Sequence, residues 1–200
     1  MTAPSPTPGA RWRREDLPED LAELVATLEP NPTYVVGARW DILHANPSAE
    51  RIFAPWSRVA REQRNLLWFY CRDPRARELF VDWPGEVRAQ LRHFRTHHAR
   101  FSGDPGFERL LARILDGTPE VASWWAQSSL ESPPPRRSGV KQVRLGGQVI
   151  SLRQLVLTSP DDPDVTVISH FADLGPGDEL GDDLDLEDEL DAQDGWRTGR

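Results

Sequence analysis

Apolar positions at the start of the chain repeat with the spacing of one helix face. They are Leu17, Leu21, Leu24, Val25 and Leu28. The spacing predicts a helix over residues 17 to 29, with Asp16 as its cap and Glu19 three residues further on. The letters "EPNP" at 29 to 32 end the pattern because prolines interrupt a helix.

A short hairpin follows this helix. Tyr34 to Val36 and Ile42 to Leu43 have the apolar, β-branched composition of strands. We expect the chain to turn around Gly37, since glycine adopts turn conformations easily. Trp40 stands in the connection, where a plain hairpin needs no tryptophan.

Four helix starts are marked by a polar residue followed by proline. The polar side chain accepts a hydrogen bond at the N-cap, and the missing proline N–H costs nothing in the first turn. The pairs are Asn46-Pro47, Asp73-Pro74, Asp104-Pro105 and Thr118-Pro119. The predicted helices run from Pro47 to about Phe53, from Pro74 to about Phe80, from Pro105 to Leu115, and from Pro119 to about Ala126.

Two further segments complete the helical middle of the chain. Gly85 to Arg100 predicts a longer amphipathic helix with Val87, Leu91 and Phe94 facing inward. Asn65 to Phe69 is apolar at every position after the asparagine, which indicates a buried helix or strand.

The last part of the chain predicts strands. "ESPPPRRSG" at 131 to 139 breaks the helical pattern, and three alternating segments follow it. They are Val140 to Leu145, Val149 to Leu157, and Val165 to Phe171. Five strands split two and three around helices predict an α+β fold, a PAS-like antiparallel sheet with an inserted helical layer and an N-terminal helix. Such a fold holds a cavity between sheet and helices.

Charge separates the predicted domain from its ends. Residues 17 to 172 carry 19 acidic and 19 basic residues, whereas residues 173 to 194 contain eleven Asp or Glu and no Lys or Arg. We therefore predict a disordered segment over 1–16, one domain over 17–172, and a disordered acidic tail over 173–200. The balanced domain shows no excess of positive charge for nucleic-acid binding.

Cysteine usage and hydropathy bear on location. Cys71 is the single cysteine, which excludes an internal disulfide and fits a reducing compartment. No stretch approaches the roughly 18 apolar residues of a membrane span, and the N-terminal residues lack the apolar core of a signal peptide. We expect a cytoplasmic protein that does not contact a membrane.

Five stretches together carry a resemblance to a known family. They are "LEPNPTYVVGARWDILHANPSAERIF", "RNLLWFYCRDPRARELFVDW", "TPEVASWWA", "RRSGVKQVR" and "LTSPDDPDVTVI". Over Leu17 to Phe171 the chain resembles the MmyB-like ligand-binding domain of actinobacterial and related transcription regulators. That domain usually follows a helix-turn-helix of the XRE type, and about 16 preceding residues are too few for one. The resemblance implies a PAS-like pocket for an apolar or fatty-acyl-like effector whose occupancy alters DNA binding elsewhere, and no direct DNA binding by this chain.

Two local departures from the family pattern concern specificity. "AQSSL" follows the tryptophan pair where members commonly have His-Asp, and "SLRQLVL" places Arg153 where members often have an aromatic residue. If these positions contact ligand, we expect the ligand specificity of this chain to be different or lost.

Aromatic and asparagine side chains form the predicted ligand site. Rigid aromatic rings line cavities without filling them, although each can equally be ordinary core. The predicted ligand-binding residues are Trp40, Asn46, Phe53, Asn65, Leu66, Trp68, Phe69, Trp83, Trp124 and Trp125.

Candidate reactive groups do not combine into a catalytic set. His93 and His97 have the spacing of a two-histidine metal site, but arginines surround them and further ligands are missing, so a solvated face is the favoured interpretation. Cys71 beside Arg72 lacks a His or Asn partner pattern. We therefore expect a non-enzyme that has no metal and no cofactor, apart from a fatty acid or similar apolar ligand.

Two functions remain open from the sequence. The first is sensing of a small apolar ligand by a regulator domain. The second is a protein-interaction or dimerisation module, which would pair with another regulator or itself through the sheet and the acidic tail. The leucines and acids of that tail could dock on a basic partner, lie across the protein's own arginines, imitate nucleic acid, or remain solvated.

Overall fold

The computed structural model describes residues 17–101, 103–127, 139–158 and 164–172. Its strands are β1 (Thr33–Val36), β2 (Ile42–Ala45), β3 (Gly139–Leu145), β4 (Gln148–Thr158) and β5 (Thr166–Ala172). Its helices are α1 (Glu19–Thr27), α2 (Pro47–Ile52), α3 (Leu66–Arg72), α4 (Pro74–Leu79), α5 (Trp83–His98), α6 (Pro105–Leu115) and α7 (Pro119–Gln127). The predicted segments 1–16 and 173–200 and the break at 131–138 lie outside the described residues.

The five strands form one antiparallel sheet in the order β2-β1-β5-β4-β3. The central pair joins β1 to β5, with Tyr34 opposite Ile168, although the two strands are far apart in sequence. The helices α2 to α7 are inserted between β2 and β3. The predicted α+β, PAS-like arrangement with an N-terminal helix is confirmed.

Alternation along the strands gives the sheet two buried faces. The inner face packs on the inserted helices, and Tyr34, Val143, Leu152 and Ile168 belong to that large core. The outer face packs on α1 through a smaller cluster of apolar side chains. Its buried members are Val25, Val35, Leu43, Val165 and Val167.

Three of the four predicted helix caps are confirmed. The side chain of Asn46 accepts from Ala49 N–H, that of Asp73 from Arg75 N–H, and that of Asp104 from Gly106 and Phe107 N–H. Thr118 differs, because its hydroxyl donates to the Ile114 carbonyl at 2.5 Å.

The long helix α5 begins earlier than predicted. Its N-cap is Asp82, which accepts from Gly85 N–H, and Pro84 occupies its first turn. Asp82-Trp83-Pro84 differs from the other starts by one inserted residue. The helix ends at His98, and Arg100 lies beyond it.

Asn65 decides the conformation of the apolar segment that follows it. Its Oδ1 accepts from Leu67 N–H at 3.0 Å and Trp68 N–H at 3.1 Å, which begins helix α3. Its Nδ2 donates to the Arg39 carbonyl at 2.7 Å and thereby attaches α3 to the hairpin loop. The segment is therefore a helix.

One local prediction was wrong. Helix α1 begins at Glu19 rather than at residue 17, with Pro18 at the N-cap position, and the predicted cap Asp16 lies outside the described residues. In the hairpin the chain turns around Gly37 as predicted, and the left-handed residue is Trp40, with φ of 61°. The Trp40 N–H donates to the Gly37 carbonyl at 2.8 Å and the Gly37 N–H to the Asp41 carbonyl at 3.0 Å, which closes a three-residue loop whose last residue is left-handed.

Candidate functional site

A small internal cavity lies between the inner face of the sheet and the helices. Its volume is about 10 Å³, near the minimum for one water molecule. The lining residues come from β1, α3, α5, β4 and β5. They are Tyr34, Leu66, Tyr70, Gln90, His93, Gln154 and Ile168.

Three of the seven side chains that line the cavity are those of two glutamines and a histidine. Gln90, His93 and Gln154 are buried, with 7%, 8% and 5% of their surface exposed. Gln154 lies beside His170, whose Nε2 is 3.3 Å from the Gln154 Oε1. The sheet therefore presents hydrogen-bonding groups to the cavity where an ordinary sheet–helix core presents apolar ones.

His170 is fully buried on the inner face. Burial and, secondly, the positive charge of Lys141 lower its pKa to about 3, so the imidazole is neutral at pH 7. Its ring stacks on Tyr34 with centroids 5.7 Å apart and approaches Phe53 at 4.8 Å. The histidine is thus part of the packed interior.

An aromatic cluster continues from the cavity wall. The Trp56 ring lies 5.1 Å from Tyr34 and 5.9 Å from Phe69, and Phe53 packs against both Tyr34 and Phe69. These rings fill the space between β1, α2 and α3. A ligand larger than water needs the helices to move relative to the sheet.

The ten predicted ligand-binding residues divide into an interior group, a group of arginine-paired tryptophans and two capping asparagines. Of the ten, Leu66 lines the cavity, and Phe53 and Phe69 belong to the neighbouring cluster. Trp40 is buried against Phe94 at 5.4 Å.

The edge group consists of tryptophans paired with arginines. Trp68, Trp124 and Trp125 are partly buried against the core. Arginine guanidinium groups lie over four rings in cation–π geometry. The pairs are Arg77 on Trp83 at 3.8 Å, Arg88 on Trp124 at 4.7 Å, Arg95 on Trp125 at 3.8 Å, and Arg72 on Trp68 at 5.3 Å.

Both predicted asparagines have structural roles. Asn65 caps α3, and Asn46 caps α2 while its Oδ1 also accepts from Thr33 N–H at 3.0 Å. The Asn46 Nδ2 donates to the Asn31 carbonyl at 2.9 Å. Both amides therefore bond to the backbone where the sheet meets the helices.

The candidate reactive groups have ordinary environments. Burial raises the pKa of Cys71 well above its usual value, outweighing the lowering effect of Arg72, so the thiol stays protonated. The described residues contain no group of three His, Cys, Asp or Glu side chains that could hold a metal ion. The predicted solvated face is wrong for His93, which is buried at the cavity because it lies in phase with Gln90 along α5.

An open groove of about 450 Å³ lies on the other side of the sheet. It separates the first half of α1 from the adjoining ends of β4 and β5. Leu21, Leu24, Leu157 and Val167 give it an apolar surface, and Asp20 also lines it.

No helix in the described part of the chain is long and apolar enough to cross a membrane.

The polar lining of the cavity was missed by the sequence analysis. A usable signal existed, because Gln154 lies in phase with the inward Leu152 and Val156 along its strand. Likewise His170 follows the inward Ile168 by two residues. A polar residue at an inward position of an apolar pattern therefore marks this site better than the tryptophans do.

Comparison with protein-family models gives a match that covers most of the chain. The model of the MmyB-like transcription regulator ligand binding domain matches residues 17–185. The chain belongs to this family. A search of curated proteins gives no match. The internal cavity of this MmyB-like domain thus lies in a fold whose family is defined by ligand binding in transcription regulators.

Proposed function

We propose that this MmyB-like domain senses a small, mainly apolar, fatty-acyl-like ligand and couples its occupancy to transcription. The observation that carries the proposal is the cavity between sheet and helices in a chain that belongs to a ligand-binding family. The surrounding aromatic cluster provides the apolar contacts. The domain acts by binding rather than by catalysis, in the cytoplasm.

Ligand entry requires a conformational change, because the cavity is far smaller than the roughly 300–1,000 Å³ of ordinary ligand sites. Cavity walls come from α3 and α5 on one side and the sheet on the other. Opening would separate these walls and expose the aromatic cluster to the ligand. The ligand shifts this equilibrium by its greater affinity for the open state.

Helix α1 is the element that would report occupancy. Successive residues of β1 face opposite sides, so Tyr34 lines the cavity while Val35 packs against Val25 of α1. In β5, likewise, Ile168 lines the cavity while Val167 belongs to the cluster that packs on α1. A displacement of the inner face is therefore transmitted to α1 through a single strand. From α1 it would be transmitted to a DNA-binding domain or a partner regulator.

Mass spectrometry of the full chain tests the sensing function. Native spectra followed by denaturing extraction should reveal an apolar ligand at close to one molecule per chain. Saturation with that ligand should change amide hydrogen exchange in α1. A ligand-free protein that no acyl compound stabilises would refute the function, since occupancy at 100 times Kd is worth about 2.7 kcal/mol.

The outer face of the sheet favours a second candidate function, self-association of this domain. Val140, Val149, Leu155 and Leu157 are 53%, 58%, 40% and 45% exposed on the outward side of β3 and β4. These exposed apolar side chains can pack against the same residues of a second copy about a two-fold axis.

Light scattering after size exclusion distinguishes this alternative. The full chain should form a dimer that the Leu155→Glu/Leu157→Glu variant abolishes, whereas Gln142→Glu on the same face should leave it intact. A monomer at high protein concentration would exclude this function.

A further inference from the structure

The indole of Trp56 is a buried hydrogen-bond donor that the protein leaves unused. The residue is 2% exposed, and within the described part of the chain its Nε1 has no hydrogen-bond partner. Buried donors in folded proteins are almost always paired, because the bond to water lost on burial is otherwise not replaced. An unpaired indole N–H in the interior is therefore suited to an acceptor that the chain itself does not provide.

Trp83 shows that the same fold can satisfy a buried indole. That residue is 5% exposed, and its Nε1 donates to the Tyr70 carbonyl at 2.8 Å. The two tryptophans bury the same ring and the same donor, yet of the two it is Trp83 whose indole meets a carbonyl oxygen. The missing partner is thus a property of the Trp56 position rather than of buried tryptophans in this fold.

Aromatic rings surround Trp56 next to the internal cavity. Its ring lies 5.1 Å from Tyr34, 5.9 Å from Phe69 and 6.2 Å from Phe53, measured between ring centroids. Tyr34 also lines the cavity, so the unused donor is one ring away from the proposed binding site. A ligand among these rings would find large apolar contacts together with the N–H of Trp56.

The position of Trp56 in the chain allows a ligand to reach it. The residue belongs to the connection between α2 and α3, and over the described residues 53–65 the chain forms no α-helix. The Ser57 N–H and hydroxyl bond the Glu50 carboxylate at 2.9 Å and 2.6 Å, and these contacts are exposed. Exposed bonds of this kind open at small cost, so the connection can move while the flanking helices stay intact.

We propose that Trp56 is a ligand-binding residue of this domain, whose indole N–H donates to an acceptor oxygen at the polar end of an otherwise apolar ligand. Carboxylate and ester oxygens both accept from such a donor, whereas a hydrocarbon chain does not. The inference rests on the proposed sensing function and adds a residue outside the set predicted from the sequence.

Replacing the N–H without changing the shape of the side chain tests whether the donor is unused. In benzothienylalanine a sulfur atom stands in place of the indole N–H, and stop-codon suppression introduces it into the full chain. Without ligand, Trp56→benzothienylalanine should leave stability in urea unchanged or raised, because a buried donor without a partner is removed. Trp83→benzothienylalanine removes the bond to the Tyr70 carbonyl and should lower the folding equilibrium constant about tenfold.

Acyl compounds test whether a ligand uses the donor. Octanoate, dodecanoate, hexadecanoate and their methyl esters are titrated into the parent chain and both variants by calorimetry and thermal shift at pH 7.5. At least one compound should bind the parent about tenfold more tightly than Trp56→benzothienylalanine, whereas Trp83→benzothienylalanine should retain the parent affinity. Comparison of each acid with its ester shows whether the accepting oxygen is charged or neutral.

Nuclear magnetic resonance of the indole groups gives a second measurement. Trp56→Phe removes one indole N–H signal and thereby assigns it. In the parent chain, saturation with the compound that binds should move this signal downfield, as formation of a hydrogen bond requires. The Trp83 signal, assigned in the same way with Trp83→Phe, is already that of a bonded N–H and should move little.

Three outcomes would overturn the inference. They are equal affinity of the parent chain and Trp56→benzothienylalanine, a loss of stability at position 56 as large as that at position 83, and binding of no compound in the panel. The first two leave the sensing function intact, since it does not depend on this donor. In the third case the extraction experiment decides separately whether the sensing function also fails.

Discussion

The Asn46 side chain joins helix α2 to strand β1 through Thr33. Its Oδ1 accepts from Thr33 N–H at 3.0 Å and from Ala49 N–H at 2.9 Å, and its Nδ2 donates to the Asn31 carbonyl at 2.9 Å. One buried amide thus caps a helix and holds the loop that leads from α1 into the sheet. At the junction of α1, β1 and α2 this residue acts together with Ser48, whose N–H and hydroxyl bond to the Glu29 carboxylate.

Replacing Asn46 should destabilise the domain more than removing an ordinary cap. Asn46→Ala leaves buried backbone groups without partners, and we expect a loss of about 2–4 kcal/mol in the free energy of unfolding. Asp82→Ala removes an exposed cap of α5 and should cost about 1 kcal/mol. Urea denaturation of both variants measures the difference, and equal losses would show that the contact with Thr33 contributes little.

Stability should fall in acid because of His170. Its pKa is about 3 in the folded protein and 6.5 ordinarily, so between these values the unfolded chain binds a proton that the folded chain does not. The contribution of the neutral His170 to the free energy of unfolding is fully present above pH 6.5. It is lost as the pH falls toward 3, by up to about 1.4 kcal/mol per pH unit.

His170→Gln should flatten the dependence of stability on pH in that window. Denaturant unfolding from pH 4 to pH 7.5 measures it for the variant and the parent chain. His98→Gln, at a partly buried histidine beside Glu108, retains His170 and is the control for loss of a histidine elsewhere. A parent slope unchanged by His170→Gln would show that the imidazole is not kept neutral.

Cys71 should be unreactive until the protein unfolds. The thiol is 5% exposed, and burial raises its pKa, so few thiolates are available for attack. Ellman's reagent at pH 8 should label the native chain orders of magnitude more slowly than the urea-unfolded chain. Rapid stoichiometric labelling of the native protein would show that α3 opens readily.

Removing one partner of the Lys141–Glu86 pair should lower the free energy of unfolding, whereas replacing both partners by apolar side chains should change it little. Their charged groups are 10% and 19% exposed as side chains, so removing one partner leaves a largely buried charge. Lys141→Met and Glu86→Leu should each lose about 3 kcal/mol, whereas the double variant should recover most of that loss. Chemical denaturation of the two single variants and the double variant gives a double-mutant cycle. If the loss of stability in the double variant equals the sum of the two single losses, Lys141 and Glu86 are not directly coupled.

Local sequence signals predicted most elements of this fold. Proline after Asn46, Asp73 or Asp104 marked helix starts because capping involves residues within one turn of each other. Strand alternation after residue 139 likewise predicted β3, β4 and β5. Asp82 was missed since Trp83 separates it from Pro84 and hides the same signal.

The candidate site was less predictable from the sequence. Tryptophans were predicted to bind ligand because their rings are large and rigid. In the structure Trp124 and Trp125 contact arginines at the edge of the helical layer. Whether they contact a ligand stays a prediction. Gln90 and Gln154, which line the cavity, resemble surface residues when each is considered alone.

The sequence by itself determined the α+β order of elements, the family, and the position of most helix starts, because these depend on interactions between near neighbours along the chain. Only the tertiary structure decided that Trp40 takes the left-handed position and that Gln90, His93 and Gln154 meet at one cavity. The physical reason is distance along the chain: strand pairing brings Tyr34 opposite Ile168, and the packing of α5 on that sheet determines which polar groups share the buried space.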